Sequence, residues 1–253
     1  MDDLQLLVDF HLDAERQGPG SPSDTHLAAE IAGIDSSGLD VIDIGCGTGA
    51  SSIALAQRYN ANVTAVDLFP QFLDRLASHA SVLGLADRIT TVQADMAELT
   101  FPDASFDVVW SEGAAYNMGF RSAIDAWRRL VRPGGVMVIS EVTWLTGARP
   151  PEIAEHWLTE YPEIDTAASK FKLLEDAGLS LRGFFVLSEA AWEDHYYRPM
   201  EERMDAFLLR HGTSSDAQAL VDAERHEIEL FRTYKTNYGY GVYIAQRPSG
   251  DTD

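Results

Sequence analysis

The chain has 253 residues, of which 45% are hydrophobic and 23% charged, and its formal net charge is -21. That length and hydrophobic share suffice for one large α/β domain with a buried core. The acidic balance argues against nucleic acid as a partner, because phosphate binding needs clustered lysine and arginine. We attribute the acidity to solubility, with a cationic substrate as the alternative.

Cys46 is the only cysteine, which excludes a disulfide framework within the chain. No apolar run approaches the roughly 18 residues of a membrane span, and the first residues are acidic. We therefore expect a cytoplasmic protein without a membrane span. The histidines show no spacing typical of a metal site, so we predict no bound metal.

The N-terminal part of the chain is predicted to be helical. Residues 2–16 have apolar residues near helical spacing, and the Gly- and Pro-containing loop 17–22 ends that helix. Asp24 is expected to cap a second helix, which carries Leu27, Ile31 and Ile34.

From residue 40 the pattern alternates between strands and helices. Strands are predicted at 40–44, 61–66, 89–92, 106–110 and 136–142. Helices are predicted between them at 49–58, 71–83 and 122–131. The turn Arg132-Pro133-Gly134-Gly135 ends the last of these helices. This alternation predicts a doubly wound, mostly parallel sheet.

After residue 145 the pattern is less regular. Helices are predicted at 149–161 and 166–177, a strand at 181–187, two helices at 189–210 and 215–232, and a final strand at 240–245. This brings the sheet to seven strands. The last two helices precede the final strand, so we expect them to cover one edge of the sheet as a lid.

Three glycines join the first strand to its helix in the segment Asp43-Ile44-Gly45-Cys46-Gly47-Thr48-Gly49. Glycine is needed where the backbone turns tightly and a ligand approaches without a Cβ atom in the way. Asp67 ends the second strand, where an acid can accept hydrogen bonds from ribose hydroxyls. At this point NAD and S-adenosylmethionine are both allowed as the ligand.

The glycine segment resembles the D/E-x-G-x-G-x-G motif of class I S-adenosylmethionine-dependent methyltransferases. Asp95-Met96, Phe106-Asp107-Val108-Val109-Trp110 and Leu130-Val131-Arg132-Pro133-Gly134-Gly135 resemble later motifs of the same family. Further segments are similar to a group of small prokaryotic members that is distantly similar to quinone-biosynthesis C-methyltransferases: Arg16-Gln17-Gly18-Pro19-Gly20-Ser21, Trp110-Ser111-Glu112-Gly113-Ala114-Ala115-Tyr116-Asn117, Ser140-Glu141 with Trp144, and Tyr161-Pro162-Glu163-Ile164.

The resemblance implies a Rossmann-like fold and S-adenosylmethionine as cofactor. By position, Asp43 would hold the methionine amino group, directly or through water, and Asp67 with Leu68 would meet the ribose. Asp95 would face the adenine amine, with Met96 under the ring. The loop residues Gly45, Cys46, Gly47 and Gly49 would complete the cofactor site, with Cys46 acting through its backbone.

The acceptor is expected at the carboxyl ends of the strands, where ligands of open α/β sheets bind. Glu112 directly follows the fourth strand and is a candidate for catalysis or cofactor binding, with a helix cap or surface ion pair as the alternative. Tyr116 and Asn117 are candidates for orienting the acceptor. Arg16 is a candidate for the cofactor carboxylate.

Trp192, His195 and Tyr196 have i, i+3 and i+4 spacing, which places them on one face of a helix. That face could stack on an aromatic acceptor, with His195 as the proton acceptor. The alternative is a lid helix that packs on the sheet through its aromatic residues. His156 and Trp157 form a second pair that we interpret as structural.

The leading prediction is methyl transfer to an O, N or C atom of a small metabolite, expected to be partly apolar or aromatic. The alternatives are a non-catalytic S-adenosylmethionine-binding regulator or partner subunit and, less favoured, a nicotinamide-dependent oxidoreductase. We predict a single domain over residues 1–253, with a helical cap at 1–39, a cofactor-binding core at 40–145 and the substrate side at 146–253. The sequence does not identify the oligomeric state, and a homodimer is one of the assemblies that it allows.

Overall fold

The computed structural model describes residues 3–35, 38–212 and 214–250. Its strands are β1 (Asp40–Ile44), β2 (Asn62–Asp67), β3 (Ile89–Gln93), β4 (Phe106–Ser111), β5 (Val131–Trp144), β6 (Asp165–Thr166), β7 (Ser180–Val186) and β8 (Tyr238–Gln246). Its α-helices are α1 (Asp3–His11), α2 (Pro22–Ala32), α3 (Ala50–Tyr59), α4 (Pro70–Val82), α5 (Phe120–Trp127), α6 (Pro151–Glu160), α7 (Ala167–Asp176), α8 (Glu189–Trp192), α9 (Arg198–His211) and α10 (Ser215–Tyr234).

The strands form one mixed sheet in the order β3-β2-β1-β4-β5-β8-β7, and the short β6 pairs with the end of β5. The pairs among β1 to β5 are parallel, whereas β8 is antiparallel to both β5 and β7. This confirms the predicted doubly wound, mostly parallel sheet. β6 is a two-residue addition to the seven strands expected.

Both faces of the sheet are covered, as the continuous apolar runs of its strands require. Val41 and Val63 belong to the core cluster on one face, which includes residues of α2, α3, α9 and α10. Ile42 and Ile44 belong to the cluster on the other face, with residues of α5 and α7. Successive side chains of β1 therefore alternate between two cores.

The helices α8, α9 and α10 lie between β7 and β8 in the chain and pack into the core cluster on one face of the sheet. The indole of Trp192 stacks on Phe231 of α10, with ring centroids 4.3 Å apart. Phe207 of α9 contacts Phe10 of α1 edge to face at 5.0 Å. None of the described helices is both long and apolar enough to cross a membrane.

The first helix is shorter than predicted. α1 ends at His11, whereas the prediction extended it to residue 16, and residue 2 lies outside the described residues. The following loop turns to the glycine segment instead, where the Thr48 hydroxyl donates to the carbonyls of Ala14 and Glu15. These long-range hydrogen bonds replace the helical ones that residues 12–16 would have made.

The capping residue of α2 also differs from the prediction. Ser21, not Asp24, is the N-cap, and its hydroxyl accepts the Asp24 N–H at 3.2 Å. Asp24 lies in the first turn, where a carboxylate interacts favourably with the helix dipole. The helix ends at Gly33 with a left-handed φ of 75°, so Ile34 lies beyond it.

Candidate active site

The glycine segment between β1 and α3 has a backbone that other residues rarely adopt. Gly45 and Gly49 have φ values of +72° and +86°. A Cβ atom on Gly45 would lie 2.3 Å from the Cβ of Ala114, and one on Gly49 would lie 2.1 Å from a methyl group of Leu76. Both positions therefore need glycine, because of their conformation and because of the close neighbours.

Gln17 anchors the N-terminal loop to the same segment. Its side-chain oxygen accepts the N–H of Thr48 at 2.9 Å, and its amide nitrogen donates to the Thr48 hydroxyl at 3.0 Å. A Cβ on Gly47 would lie 2.0 Å from that Gln17 oxygen. The N-terminal loop is thus fitted closely over the glycine turn.

Asp43 has one carboxylate oxygen available for a ligand. Its side chain is fully buried at the end of β1, and the Ser51 and Ser52 hydroxyls donate to Oδ2 at 2.7 and 2.6 Å. Oδ1 is buried and accepts no hydrogen bond from the described residues. Burial raises the pKa of Asp43 to about 6, although the two hydroxyls oppose that shift. A cationic amino group is the partner this oxygen lacks.

Asp67 lies at the carboxyl end of β2, next to the glycine segment. Its Oδ2 accepts the N–H of Gly47 at 2.8 Å, and its Oδ1 accepts the N–H of Phe69 at 3.0 Å. Burial raises the pKa of Asp67, and the backbone hydrogen bonds oppose the rise. A carboxylate oxygen accepts two hydrogen bonds, so both oxygens can still accept from ribose hydroxyls.

The other predicted cofactor residues lie around the same strand ends. Leu68 and Asp95 are exposed after β2 and β3. The Met96 methyl group would be 3.5 Å from a Cβ on Gly45. The vacant buried acceptor on Asp43 fits a cationic amino group such as the one that S-adenosylmethionine carries.

The buried Arg16 and the partly buried Glu112 form an ion pair beside this cleft, with Arg16 Nη1 2.5 Å from Glu112 Oε2. Arg16 Nη2 also donates to the Thr25 hydroxyl, and Glu112 Oε1 accepts from Thr25 and from the Trp110 indole N–H. Both carboxylate oxygens are therefore engaged. This arrangement suits Glu112 to positioning Arg16 rather than to taking a proton, while the buried Arg16 Nε lacks a partner among the described residues.

We expect Arg16→Met to lower the free energy of unfolding by about 3 kcal/mol, because it leaves the Glu112 carboxylate without its buried partner. Arg58→Met is the matched control. The Arg58–Glu30 pair is more than half exposed on both sides, so its loss is expected to cost less than about 1 kcal/mol. Urea unfolding of both variants checks this, and an equal cost would contradict the buried role of Arg16.

A larger cavity of about 400 Å³ opens beside the cofactor cleft. Its walls come from the N-terminal loop, the loop after β4, α6, α8 with the turn that follows it, α10 and β8. The lining residues are Gln17, Gly18, Pro19, Gly113, Tyr116, Val142, His156, Trp157, Glu160, Tyr161, Trp192, Tyr196, Ala223, Glu224, His226, Glu227 and Tyr240. We call it the acceptor cavity.

The acceptor cavity and the cofactor cleft share a wall. Gln17, Gly18, Pro19 and Gly113 line both, and the cleft continues to Gly45 and Ser51. A group bound in the cleft is therefore next to a molecule bound in the cavity.

His195 does not share the face expected for it. Trp192 and Tyr196 are buried and line the cavity, whereas His195 is exposed and does not line it. The chain forms a π-helical turn over Glu193–Tyr197. A π-helical turn holds more residues than an α-helical one, so residues at i+4 and i+5 share a face with residue i, whereas the residue at i+3 does not. The prediction that assumed α-helical spacing was therefore wrong for His195.

The two candidate acceptor-orienting residues after β4 also differ in where they lie. Tyr116 lines the cavity, with its ring edge-on to Tyr161 at 6.2 Å. Asn117 is exposed, and its side-chain amide donates to the carbonyl of Ala114 at 3.0 Å. Asn117 thus stabilises the short 3₁₀ turn and does not line the cavity.

Glu227 of α10 is a carboxylate at the cavity wall that sequence reasoning missed. Burial and, to a smaller extent, the neighbouring Glu224 together raise the pKa of Glu227 to about 7. The Tyr197 hydroxyl donates to Oε1 at 3.1 Å. A carboxyl group with a pKa near the working pH suits proton transfer.

A weak signal for Glu227 was present in the sequence. Val221, Ile228 and Phe231 mark the buried face of α10, and Glu224 and Glu227 interrupt that face at i, i+3 spacing. The prediction treated this helix only as a lid. His156 and Trp157, interpreted as structural, also line the cavity.

Behind the cavity wall, Glu141 and Lys170 are both fully buried. The Lys170 Nζ lies 4.6 Å from the ring centroid of Phe120 and 5.4 Å from that of Tyr161. Burial raises the pKa of Glu141 to about 7 and lowers the pKa of Lys170, while each charge favours the other. The pair supports Tyr161 from behind and does not line the cavity.

Comparison with known proteins identifies the family of the chain. Residues 41–135 match the family model described as a methyltransferase domain. The 27-O-demethylrifamycin SV methyltransferase of Amycolatopsis mediterranei is 33% identical over 232 residues, which cover 88% of this chain and 84% of that protein. The chain belongs to the S-adenosylmethionine-dependent methyltransferase family.

Other members of the methyltransferase family match a smaller part. The 2-methyl-6-phytyl-1,4-hydroquinone methyltransferase of Synechocystis is 38% identical over 120 residues, or 46% of this chain and 36% of that protein. Apart from the rifamycin relative, these matches span about a third of the relatives' own length, from 28% to 36%.

Solved structures show the same fold. A methyltransferase from Geobacter sulfurreducens in complex with S-adenosylhomocysteine has a TM-score of 0.82 at 18% identity, covering 95% of this chain and 97% of that one. The [4+2]-cyclase SpnF has a TM-score of 0.76 at 22% identity, covering 98% and 94%. The methyltransferase fold is thus found in proteins with different named activities.

Proposed function

We propose that this methyltransferase transfers a methyl group from S-adenosylmethionine to a small molecule held in the acceptor cavity. The observation that carries the proposal is the wall shared by the cofactor cleft and the cavity at Gln17, Gly18, Pro19 and Gly113. The shared residues make the two spaces neighbours, as direct transfer between their ligands requires.

The roles of the chain's residues follow from the chemistry. When bound, S-adenosylmethionine supplies a methyl group that its sulfonium has already activated. The aromatic walls of the cavity hold the acceptor in line and exclude water. Glu227 accepts the proton that the acceptor must lose, because its carboxylate faces the cavity and has a raised pKa.

The relatives support a small-molecule acceptor. The names of two of them specify a demethylrifamycin and a hydroquinone as substrates. An apolar part of the acceptor suits the six aromatic side chains that line the acceptor cavity, namely Tyr116, Trp157, Tyr161, Trp192, Tyr196 and Tyr240.

A non-catalytic S-adenosylmethionine-binding protein is the second candidate. The named cyclase has this fold, so the fold alone does not fix the reaction. Both candidates require cofactor binding, whereas only the enzyme releases S-adenosylhomocysteine in the presence of an acceptor.

We expect saturating S-adenosylhomocysteine to raise the melting temperature by roughly 5–10 °C, because a ligand at 100 times its Kd adds about 2.7 kcal/mol to the stability of the folded state. NADH at the same concentration is the control and is expected to leave the melting temperature unchanged. Stabilisation by NADH alone would contradict the proposal. An acceptor panel with detection of released S-adenosylhomocysteine then separates the enzyme from the binding protein.

We also propose that residues 1–253 act as one methyltransferase domain, with the cap, core and substrate side predicted above, in the cytoplasm and as a homodimer. The return of β8 between β5 and β7 supports one domain, since it ties the C-terminal segment to the sheet. Light scattering after size exclusion tests the dimer, and a monomeric mass at micromolar concentration would contradict it.

A further inference from the structure

The charged residues of the acceptor cavity have one sign. Glu160, Glu224 and Glu227 line it, and no lysine or arginine is among the described lining residues. Its two histidines are His156 and His226, and burial lowers the pKa of His156, which favours its neutral form at pH 7. The cavity therefore presents a negative potential to a bound molecule.

The three carboxylates differ in their surroundings. Glu160 is exposed at the cavity mouth. Glu224 has a positive group near it, since Arg203 of α9 interacts with it electrostatically, and His11 Nε2 lies 3.8 Å from its Oε1. Glu227 accepts a hydrogen bond from the neutral Tyr197, and its charged neighbours are Glu224 and Glu160. Glu227 is thus the carboxylate whose charge is least balanced by the chain.

Aromatic rings surround the same space. Trp157 belongs to α6 and Tyr161 directly follows it; Trp192 and Tyr196 come from α8 and the π-helical turn, and Tyr240 from β8. Aromatic faces next to carboxylates attract cations, because the ring quadrupole and the carboxylate both favour positive charge. The same rings accommodate an apolar body.

We propose that the methyl acceptor is an amine with an apolar body, bound as its ammonium ion between Glu227 and the aromatic walls. The inference rests on the proposed function, since it names the acceptor class of the same cavity. The overall acidity of the chain did not by itself indicate a cationic ligand, whereas the carboxylates of the cavity do.

The reaction balances in charge and in atoms. The ammonium ion loses one proton to the Glu227 carboxylate, which leaves a neutral nitrogen with a lone pair. That nitrogen forms a bond to the methyl carbon as the sulfur–carbon bond breaks, and the electron pair of the broken bond stays on sulfur. The products are the methylated ammonium ion and S-adenosylhomocysteine, and the proton on Glu227 passes to solvent.

Three probes of similar shape and different charge test this inference. They are 2-phenylethylamine, 2-phenylethanol and 3-phenylpropionate, titrated calorimetrically into the protein saturated with S-adenosylhomocysteine. We expect the amine to bind at least tenfold more tightly than the alcohol, and the carboxylate to bind most weakly. At pH 7 amine binding is expected to release protons, since the cation lowers the raised pKa of Glu227.

Two variants locate the effect. Glu227→Gln is expected to reduce the preference for amine over alcohol at least tenfold. Glu229→Gln, on the exposed side of the same helix, is expected to retain it. Glu224→Gln provides a second test and should reduce the preference in part.

Equal responses to amine and alcohol, including no response to either, would overturn the inference, as would tighter binding of the alcohol or the carboxylate. Tighter alcohol binding would favour a hydroxyl acceptor, as the name of the rifamycin relative specifies for that protein. Stabilisation by S-adenosylhomocysteine is measured on the same samples. Its loss in the unmodified protein would count against the proposed function, whereas its presence with a failed amine preference counts only against the amine.

Discussion

Glu227→Gln is expected to lower kcat by about 100-fold at pH 8, because general-base catalysis contributes about 10²–10⁴-fold and glutamine cannot accept the proton. In the unmodified protein kcat/KM should rise with pH through about 7, where the buried carboxyl group ionises. That rise should be absent from the variant. Steady-state kinetics from pH 5.5 to 9 with an acceptor found in the panel measures both effects.

Glu229→Gln is the control, since it makes the same chemical change on the exposed side of α10. We expect its kcat and its pH profile to match those of the unmodified protein. A Glu227→Gln variant that kept both would rule out Glu227 as the base, and the acceptor would then have to lose its proton to solvent or to another group.

Stability provides an independent measurement of the same carboxyl group. The folded-state pKa of about 7 lies above the ordinary value of 4.5, so the unfolded state loses the proton first and folding becomes less favourable as pH rises from 4.5 to 7. Removing the charge in Glu227→Gln should therefore stabilise the protein at pH 8 by about 2 kcal/mol. The gain should disappear below pH 4.5, where both states are protonated. Urea unfolding at pH 8 and pH 4 measures it.

Gly45→Ala is expected to weaken S-adenosylhomocysteine binding by at least about 100-fold, since a displacement of about 1 Å in a reacting site has effects of that size. The new Cβ would lie 2.3 Å from the Cβ of Ala114 and at a φ of +72°. Both backbones must shift to relieve this contact, and the cofactor segment shifts with them. Calorimetric titration of the variant measures the loss.

Gly84→Ala separates backbone strain from the loss of space. Gly84 has a nearly identical φ of +71°, and a Cβ there would meet nothing within 4 Å. We expect this variant to lose about 1 kcal/mol of stability and to keep its affinity for S-adenosylhomocysteine. If both variants bound the ligand equally well, the close fit at Gly45 would have no role in the cofactor site.

A second glycine variant provides the same test in case Gly45→Ala does not fold. In Gly47→Ala the new Cβ meets the far end of the flexible Gln17 side chain, so a smaller loss of affinity is expected. Gln17→Ala removes that contact together with the hydrogen bonds to Thr48, so Gln17→Ala alone is the reference for the double variant. If Gly47→Ala lowers the affinity equally in the presence and absence of the Gln17 side chain, backbone strain at Gly47 causes the loss.

The cofactor half of the site could be predicted from the sequence because its requirements are local. Positive φ angles need glycine wherever the turn lies. Asp43 and Asp67 could be selected as candidates because they lie at the ends of two buried strands. The structure places both acids beside the glycine turn, where Asp67 accepts a hydrogen bond from the Gly47 N–H. The alternation of strands and helices likewise predicted the sheet, since each element has its own period.

The acceptor half could not be predicted in the same way. Glu227 acquires its raised pKa from burial and from neighbours that the fold brings together, and the sequence around it is that of an ordinary lid helix. The exposure of His195 depends on one π-helical turn, which changes the face on which every following residue lies. The engagement of Glu112 depends on Arg16, 96 residues away.

The sequence by itself thus determined the fold class, the position of the cofactor turn and the acids around it, because strand and helix periodicity and backbone conformation are properties of neighbouring residues. The tertiary structure alone decided which side chains face the acceptor and how their charges are balanced. Desolvation and electrostatic interaction act through space, so the chemistry of Glu227 emerges only when α6, α10 and the N-terminal loop enclose one cavity.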